Sequence, residues 1–125
     1  MIGNTDWKIR FLHNIKLIAT KDSSQKIVIP YDFDFSGIVD ASYALPNPDY
    51  NQKKVRDRIF QGLEVDPERM EMVLEEFILK KEVFREMCNS LSFLSKKERK
   101  KTWKYLNSFF KIIENKDKRK EVFFE

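Results

Sequence analysis

Three side chains near the N-terminus have the types and order that suit a metal-bound phosphate. In this chain of 125 residues they are Asp6, Asn14 and Asp32. Magnesium takes hard oxygen ligands, usually one or two carboxylates together with phosphate oxygens and water. In phosphoryl transfer, a first Asp orients the attacking hydroxyl, and a later Asn and Asp hold the metal against the phosphates. The order Asp, Asn, Asp therefore predicts phosphoryl-transfer chemistry.

A β-hairpin would bring Asn14 and Asp32 to the same place. Apolar runs predict one strand at 15–20 and a second at 26–29, and the polar residues 21–25 predict the turn between them. Pro30 comes at the end of the second strand, where its missing N–H disturbs the ladder least. Because a hairpin places its outer strand ends side by side, we expect the residues flanking the hairpin to meet.

The sequence around these residues resembles a known family. The resemblance rests on three segments, which are NTD at 4–6, HN at 13–14 and PYD at 30–32. They resemble the catalytic and metal loops of HipA-like and CotH-like atypical kinases. The longer strings at 2–7, 12–17 and 30–37 are similar to a group of uncharacterised, longer bacterial proteins of Bacteroidetes type, suspected members of the same kinase-like superfamily. The resemblance is strong over residues 1–50 and rests on pattern alone beyond them.

This resemblance implies a role for each residue of the site. Asp6 would be the catalytic aspartate, and Asn14 would bind magnesium and the nucleotide. Asp32 would be the metal-binding aspartate next to the nucleotide, with Asp34 as a second candidate ligand. The implied cofactors are Mg²⁺ and ATP, and the implied activity is ATP-dependent phosphotransfer.

Two features depart from the family pattern. Asp6 and Asn14 are further apart than the five-residue step of the protein-kinase catalytic loop, so an insertion around residues 8–10 is needed. The chain has three glycines and no glycine-rich phosphate loop. We therefore expect a C-terminal kinase-like fragment that is inactive alone and would be a phosphotransferase only if a missing N-lobe completed it.

The same residues have plainer interpretations. Asp32 and Asp34 also suit ordinary strand-end and turn positions, because loop aspartates are common. His13 is the single histidine, and we expect it to orient a loop rather than to act as a base or metal ligand.

Composition predicts a folded, cytoplasmic protein. Hydrophobic residues make up 42% of the chain and include eleven Phe, which is enough apolar material for a core. No apolar run approaches the roughly 18 residues of a membrane span, and the N-terminus does not resemble a signal peptide. The single cysteine, Cys88, cannot form an internal disulfide and is expected to be a buried thiol.

Helical periodicity replaces the strand pattern from Gln52 onward. A short helix is predicted over 52–60, with Gly62 as its stop. Asp66 and Pro67 predict the start of the next helix, whose apolar stripe runs to Leu91 and is interrupted at Lys81 by a bend or an extended side chain.

A capping box at 95–98 starts the last long helix, and a break is predicted at 115–118. The apolar tail 121–124 is expected to dock back or to pair with a missing part of the protein. The fold class is therefore α+β, with an antiparallel β-hairpin followed by three to four helices, similar to a protein-kinase-like C-lobe. We expect a single domain over 1–125, with a loop-and-hairpin region at 1–50 and a helical subdomain at 51–125.

A second function remains open, that of a non-catalytic helical binding module. Net charge is +4, and the densest cationic stretch runs from Lys96 to Lys120. Such a stretch attracts phosphate backbones, but more often it is the solvated face of a helix, so nucleic acid is the less favoured partner. Nucleotide, an N-lobe or a second copy of the chain are the partners we expect, and a membrane is not.

Overall fold

The computed structural model of the chain describes most of its residues and groups them into two compact units. The first unit is residues 2–59, and the second is Met1 with residues 60–125. Residues 22–25 of the turn predicted at 21–25 and the predicted helix stop at Gly62 lie outside the described residues, and the organisation of the chain as a single domain stays a prediction. The described ranges are 1–8, 11–21, 26–61 and 65–124.

The predicted hairpin is confirmed. β1 spans Ile15–Ala19 and pairs antiparallel with β2, which spans Lys26–Pro30. Ile15 lies opposite Pro30 at the open end, and Ala19 lies opposite Lys26 at the turn end. Pro30 is the last residue of its strand, so its missing N–H falls at the end of the ladder.

The N-terminal segment is fastened to the chain that follows the hairpin. The Gly37 N–H donates to Gly3 O at 2.9 Å, and the Ile38 N–H donates to Ile2 O at 3.1 Å. Gly3 has a positive φ of 67°, which glycine adopts without steric penalty. Ser36, opposite Asn4 in an isolated bridge, is fully buried. These bonds hold the loop that carries Asp6 beside the loop that carries Asp32.

The predicted helix at 52–60 is wrong. The buried Gln52 side chain donates to Val55 O at 3.2 Å and to Asp57 O at 2.9 Å. The Asp57 carboxylate accepts from the Lys54 N–H at 2.8 Å. Because side-chain bonds of this kind satisfy backbone groups outside a helix, they stabilise a compact turn at a segment whose apolar spacing is helical.

The described residues of the second unit form four helices, and the two helix starts predicted from the sequence are confirmed. The Asp66 side chain caps the first helix through the Arg69 N–H, and Ser95 with Glu98 forms the capping box of the third. The break predicted at 115–118 is shorter than expected, because the Asn115 side chain caps a fourth helix that begins at Lys116. The structure is therefore α+β, a two-stranded antiparallel hairpin followed by four helices. None of the helices in the described ranges is long and apolar enough to cross a membrane. The helices are α1 Pro67–Leu79, α2 Lys81–Ser90, α3 Lys96–Ile113 and α4 Lys116–Phe123.

The interruption predicted at Lys81 is a helix boundary at Lys80. α1 ends there, and α2 begins at the next residue. The Lys81 ammonium reaches the Glu114 carboxylate at 2.7 Å and lies 5.9 Å from the centre of the Phe110 ring. The stem of Lys81 therefore covers the core while its charge is paired at the surface.

Aromatic and aliphatic side chains from α1 and α3 form the core of the second unit. Phe123 and Phe124 of the C-terminal tail pack against this core, which confirms that the tail docks back. Cys88 is also buried, and this burial raises the pKa of its thiol, as expected for an unreactive cysteine. The buried members of the core cluster are Leu74, Phe109, Phe110 and Ile113.

The capping box gives a first testable prediction. Replacing Ser95 by Ala removes the acceptor for the Glu98 N–H, so we expect the free energy of unfolding to fall by about 1 kcal/mol. Urea denaturation followed by circular dichroism measures this loss. Ser92→Ala changes an exposed serine in the preceding turn and should leave the midpoint unchanged. Equal effects of the two substitutions would contradict the assignment of the cap.

Candidate functional site

The loop that carries Asp6 is shaped by Asn4. The Asn4 Oδ1 accepts from the Asp6 N–H at 2.8 Å, which closes a tight side-chain turn. The Asn4 Nδ2 donates to Asp32 O at 3.4 Å. One amide side chain therefore contacts the backbone of both predicted aspartates.

Asn14 contacts Asp6 directly. Its Nδ2 donates to Asp6 Oδ2 at 2.7 Å. Because the nitrogen and oxygen of an amide point in different directions, this bond turns Asn14 Oδ1 away from Asp6, where it can serve as a ligand. Asn14 and Asp32 have positive φ values of 55° and 57°, and Asn and Asp are among the few non-glycine residues that tolerate this region.

The hairpin register places Asn14 next to Asp32. The Tyr31 N–H donates to Asn14 O at 3.0 Å, which continues the ladder one residue beyond the Ile15–Pro30 pair. The Trp7 indole N–H donates to Tyr31 O at 3.0 Å and to Asp32 O at 3.2 Å. The Trp7 ring also packs edge-on against Phe33, with centroids 5.0 Å apart. Both the hairpin ladder and the Trp7 side chain therefore hold the backbone of the candidate site at the open end of the hairpin.

His13 orients the Asp6 loop. Its Nδ1 lies 2.8 Å from Asp6 O and 3.8 Å from the Asp6 carboxylate. A carbonyl oxygen can only accept, so Nδ1 carries the proton and Nε2 is the acceptor nitrogen of the neutral ring. This contact confirms the expected loop-orienting role of His13.

Asp32 and Asp34 form a carboxyl pair. A side-chain hydrogen bond to Asp34 raises the pKa of the Asp32 carboxyl above its ordinary value of 3.8, and partial desolvation and the nearby charges of Asp34 and Asp6 add to this. The same bond with Asp32 lowers the pKa of Asp34, and a bond from the Tyr43 hydroxyl at 3.1 Å lowers it further. The bond to Asp34 raises the pKa of Tyr43 in turn. The bond between them therefore moves the pKa values of the two carboxyl groups apart, at the site where a cation is expected.

The carboxyl pair gives a second prediction. Replacing Tyr43 by Phe removes a donor that favours charged Asp34, so we expect the pKa of Asp34 to rise. Carbon-13 NMR of the carboxyl carbons over a pH series measures the midpoints. In the unaltered chain Asp32 should titrate above 3.8 and Asp34 below it.

Tyr50→Phe is the matched control, because it removes the same hydroxyl from a 3-10 turn at Pro48–Tyr50. It should leave both midpoints unchanged. An Asp34 midpoint that does not move in Tyr43→Phe would contradict the assigned bond.

A cluster of polar side chains contacts the Asp6 loop at Thr5. Thr5 is buried, and its hydroxyl donates to Gln52 Oε1 at 3.3 Å. The Asn47 Nδ2 donates to Thr5 O at 3.3 Å, and the Asn47 N–H donates to Gln52 Oε1 at 2.8 Å. Because buried polar groups are costly when unpaired, this cluster fixes the residue that precedes Asp6.

The structure brings the four predicted site residues together. Asn14 contacts Asp6, Asp32 contacts Asp34, and the charge of Asp6 acts on Asp32. Sequence reasoning missed the supporting residues Asn4, Trp7 and Tyr43. An available signal was the NTD string, in which an Asn two residues before an Asp is typical of a side-chain turn.

The oxygen atoms of the site residues are of the kind that magnesium binds. Asp32, Asp34 and the Asn14 amide can supply hard oxygen ligands. Within 1–8, 11–21, 26–61 and 65–124, no group of three or more His, Cys, Asp or Glu side chains is placed to hold a metal ion. Magnesium sites commonly use only one or two carboxylates and complete their shell with phosphate oxygens and water.

Comparisons with known proteins identify no relative of this chain. No family model, no curated protein and no solved structure matches the chain.

Proposed function

We propose that the loop-and-hairpin unit is the magnesium–nucleotide half-site of a kinase-like phosphotransferase. The observation that carries this proposal is the meeting of Asp6, Asn14 and Asp32 at the open end of the hairpin. Asp6 and Asn14 are bonded to each other, and Asn14 is bonded to the residue before Asp32. The resemblance to HipA-like and CotH-like kinases supports the same assignment.

Each residue has a distinct role in this proposal. Asp6 accepts or orients the proton of the attacking hydroxyl, and its carboxylate is held for this by Asn14. The Asn14 Oδ1 and the Asp32 carboxylate hold magnesium, with Asp34 as a second ligand. Magnesium, when bound, neutralises the phosphate charge that develops during transfer.

We propose that an N-lobe outside the two described units supplies the phosphate-covering loop and the lysine that kinases use. A phosphate-covering loop requires closely spaced glycines, and a kinase lysine pairs with the α- and β-phosphates. The three glycines of this chain are at 3, 37 and 62, too far apart in sequence to form such a loop. We therefore propose that an N-lobe completes the site and that the half-site alone is inactive.

The exposed hairpin is the surface on which such a lobe would dock. Five aliphatic side chains of β1 and β2 are each between 40% and 52% exposed. In the hairpin register Leu17 and Val28 lie on one face and the other three on the opposite face, so both faces expose apolar side chains. A two-stranded hairpin is marginal alone, and exposed apolar surface of this kind favours an interaction site. The five side chains are Leu17, Ile18, Ile27, Val28 and Ile29.

The same surface also supports the second candidate function, a non-catalytic binding module. In that case the hairpin would be covered by a partner or by a second copy of the chain. Sedimentation at increasing concentration separates these cases from the first. Self-association that high salt does not relieve favours the module, and a monomer that binds nucleotide favours the half-site.

A cytoplasmic location completes the proposal. The single cysteine is free and buried, as suits a reducing compartment.

Manganese provides a direct test of the half-site. Mn²⁺ replaces Mg²⁺ at oxygen sites and broadens the NMR signals of nearby nuclei. With Mn²⁺ and ATP added below stoichiometry, we expect broadening to be confined to residues 4–8, 13–14 and 31–35. Broadening centred instead on the glutamates of α1 at 68, 71, 75 and 76 would overturn the proposal.

A further inference from the structure

We propose that the solvent face of α3 binds the phosphate backbone of a nucleic-acid duplex without reading its sequence. We call this surface the lysine face. Because an α-helix turns about 100° per residue, its members fall within an arc of about 100°, opposite the buried side of α3. All of them are exposed, and they are Lys97, Lys100, Lys101, Lys104 and Lys111.

The charge of α3 is unusually one-sided. The helix has seven Lys and Arg residues against one Glu, and that Glu98 is in the capping box rather than on the lysine face. An ordinary solvated face intersperses charges of both signs.

The lysines are also placed where they repel each other. Lys100 and Lys104 are four residues apart and are therefore neighbours on the helix surface. Like charges at this spacing destabilise a helix, and an anionic partner would offset that repulsion. The lysine face is thus better suited to a bound polyanion than to water alone.

The spacing along the helix fits a duplex. Four lysines occupy two turns at 97–104, and Lys111 follows seven residues later, about 10 Å along the axis. The major groove of B-DNA is about 12 Å wide, so a helix lying across it would place cations near the phosphates of both strands. Lysine ammonium groups act here as point charges and give no base specificity.

A single strand is a poorer match for this surface. Proteins that bind single strands combine cationic grooves with exposed aromatic rings on which bases stack. The aromatic residues of α3 point the other way, because Tyr105, Phe109 and Phe110 are buried and Trp103 packs against the core. The lysine face therefore offers charge without a stacking platform.

The test is a binding titration of the full chain against a fluorescently labelled DNA duplex of 20 base pairs and mixed sequence. Fluorescence anisotropy at several salt concentrations gives the affinity and its salt slope. Each neutralised phosphate contributes about −0.9 to the slope of log K against log salt, so five lysines predict a slope of about −4.5. We expect the matching single strand to bind more weakly than the duplex.

Paired variants locate the binding surface. The double variant Lys100→Gln/Lys104→Gln should bind the duplex at least about tenfold more weakly at low salt. The slope of log K against log salt should become shallower by about 2, because each lysine contributes about 1. Gln is a good helix former, so α3 is retained, and circular dichroism verifies this. Lys53→Gln with Lys54→Gln removes the same charge from an exposed loop and should change neither quantity.

Three results would overturn the proposal. The first is no duplex binding by the unaltered chain at low salt. The second is an equal loss in both double variants, which would mean that net charge alone is responsible. The third is binding to vesicles of phosphatidylcholine with phosphatidylserine but not to the duplex, which would assign the lysine face to an anionic membrane surface.

Discussion

Replacing Asp32 by Asn should weaken magnesium-dependent ATP binding by at least about 100-fold. In the proposed site Asp32 is a charged ligand of the cation, and loss of a mere outer-shell partner already lowers metal affinity by about 10–100-fold. Asn is the suitable replacement because Asp32 has a positive φ of 57°, a conformation that Asn tolerates and Ala does not. The measurement is calorimetric titration with ATP in the presence of magnesium.

Asp40→Asn is the control for this change. Asp40 also has a positive φ, of 55°, and it pairs with Arg56 at 3.2 Å instead of belonging to the proposed site. The substitution therefore reproduces the chemical change and the backbone setting, and it should leave ATP affinity unchanged. Equal losses in the two variants would remove Asp32 from the site.

Replacing Phe110 by Ala should destabilise the helical unit by about 3–5 kcal/mol, as is typical of a buried phenylalanine. Phe110 is fully buried, and its ring packs against the rings of Phe84, Trp103 and Phe109. A loss of this size is a large part of the roughly 5–15 kcal/mol by which ordinary domains are stable. Urea denaturation followed by the helical circular dichroism signal measures it.

Phe93→Ala serves as the comparison, because Phe93 lies between α2 and α3 and is 80% exposed. Surface substitutions of this kind usually change stability by no more than about 0.5 kcal/mol. If Phe93→Ala destabilised the chain as much as Phe110→Ala, the core described for the helical unit would be incorrect.

The elements with strong local signals could be predicted from the sequence. Asp66 with Pro67 and Ser95 with Glu98 each mark a helix start by a bond between a side chain and a nearby backbone group. Such bonds depend on residues only three apart, so the sequence alone identifies them. The hairpin was predictable for a similar reason, because its two apolar runs are close together in the chain.

The helix predicted at 52–60 failed because long-range polar contacts outweigh periodicity there. Gln52 bonds to Thr5 and Asn47 as well as to the turn that follows it. Thr5 is 47 residues away from Gln52, and no local pattern reveals such a partner. Buried side-chain bonds of this kind determine the backbone of a loop more strongly than apolar spacing does.

The proposed ligands of the site could be predicted from the sequence, but the side chains that hold them in place could not. The order of Asp6, Asn14 and Asp32 selected the residues, and the hairpin register explains why the last two meet. The bonds from Trp7 to the chain before Phe33, and from Tyr43 to Asp34, depend on how two loops fold against each other. The bond by which Tyr43 lowers the pKa of Asp34 was therefore not visible in the sequence.

Calorimetric titration of the unaltered chain with ATP, with and without magnesium, tests the central claim most directly. The account predicts saturable binding in magnesium and its loss when EDTA removes the metal, because Asn14, Asp32 and Asp34 are proposed to hold the nucleotide through the cation. Binding that is equally strong with and without magnesium, or no binding in either condition, would contradict the proposed half-site.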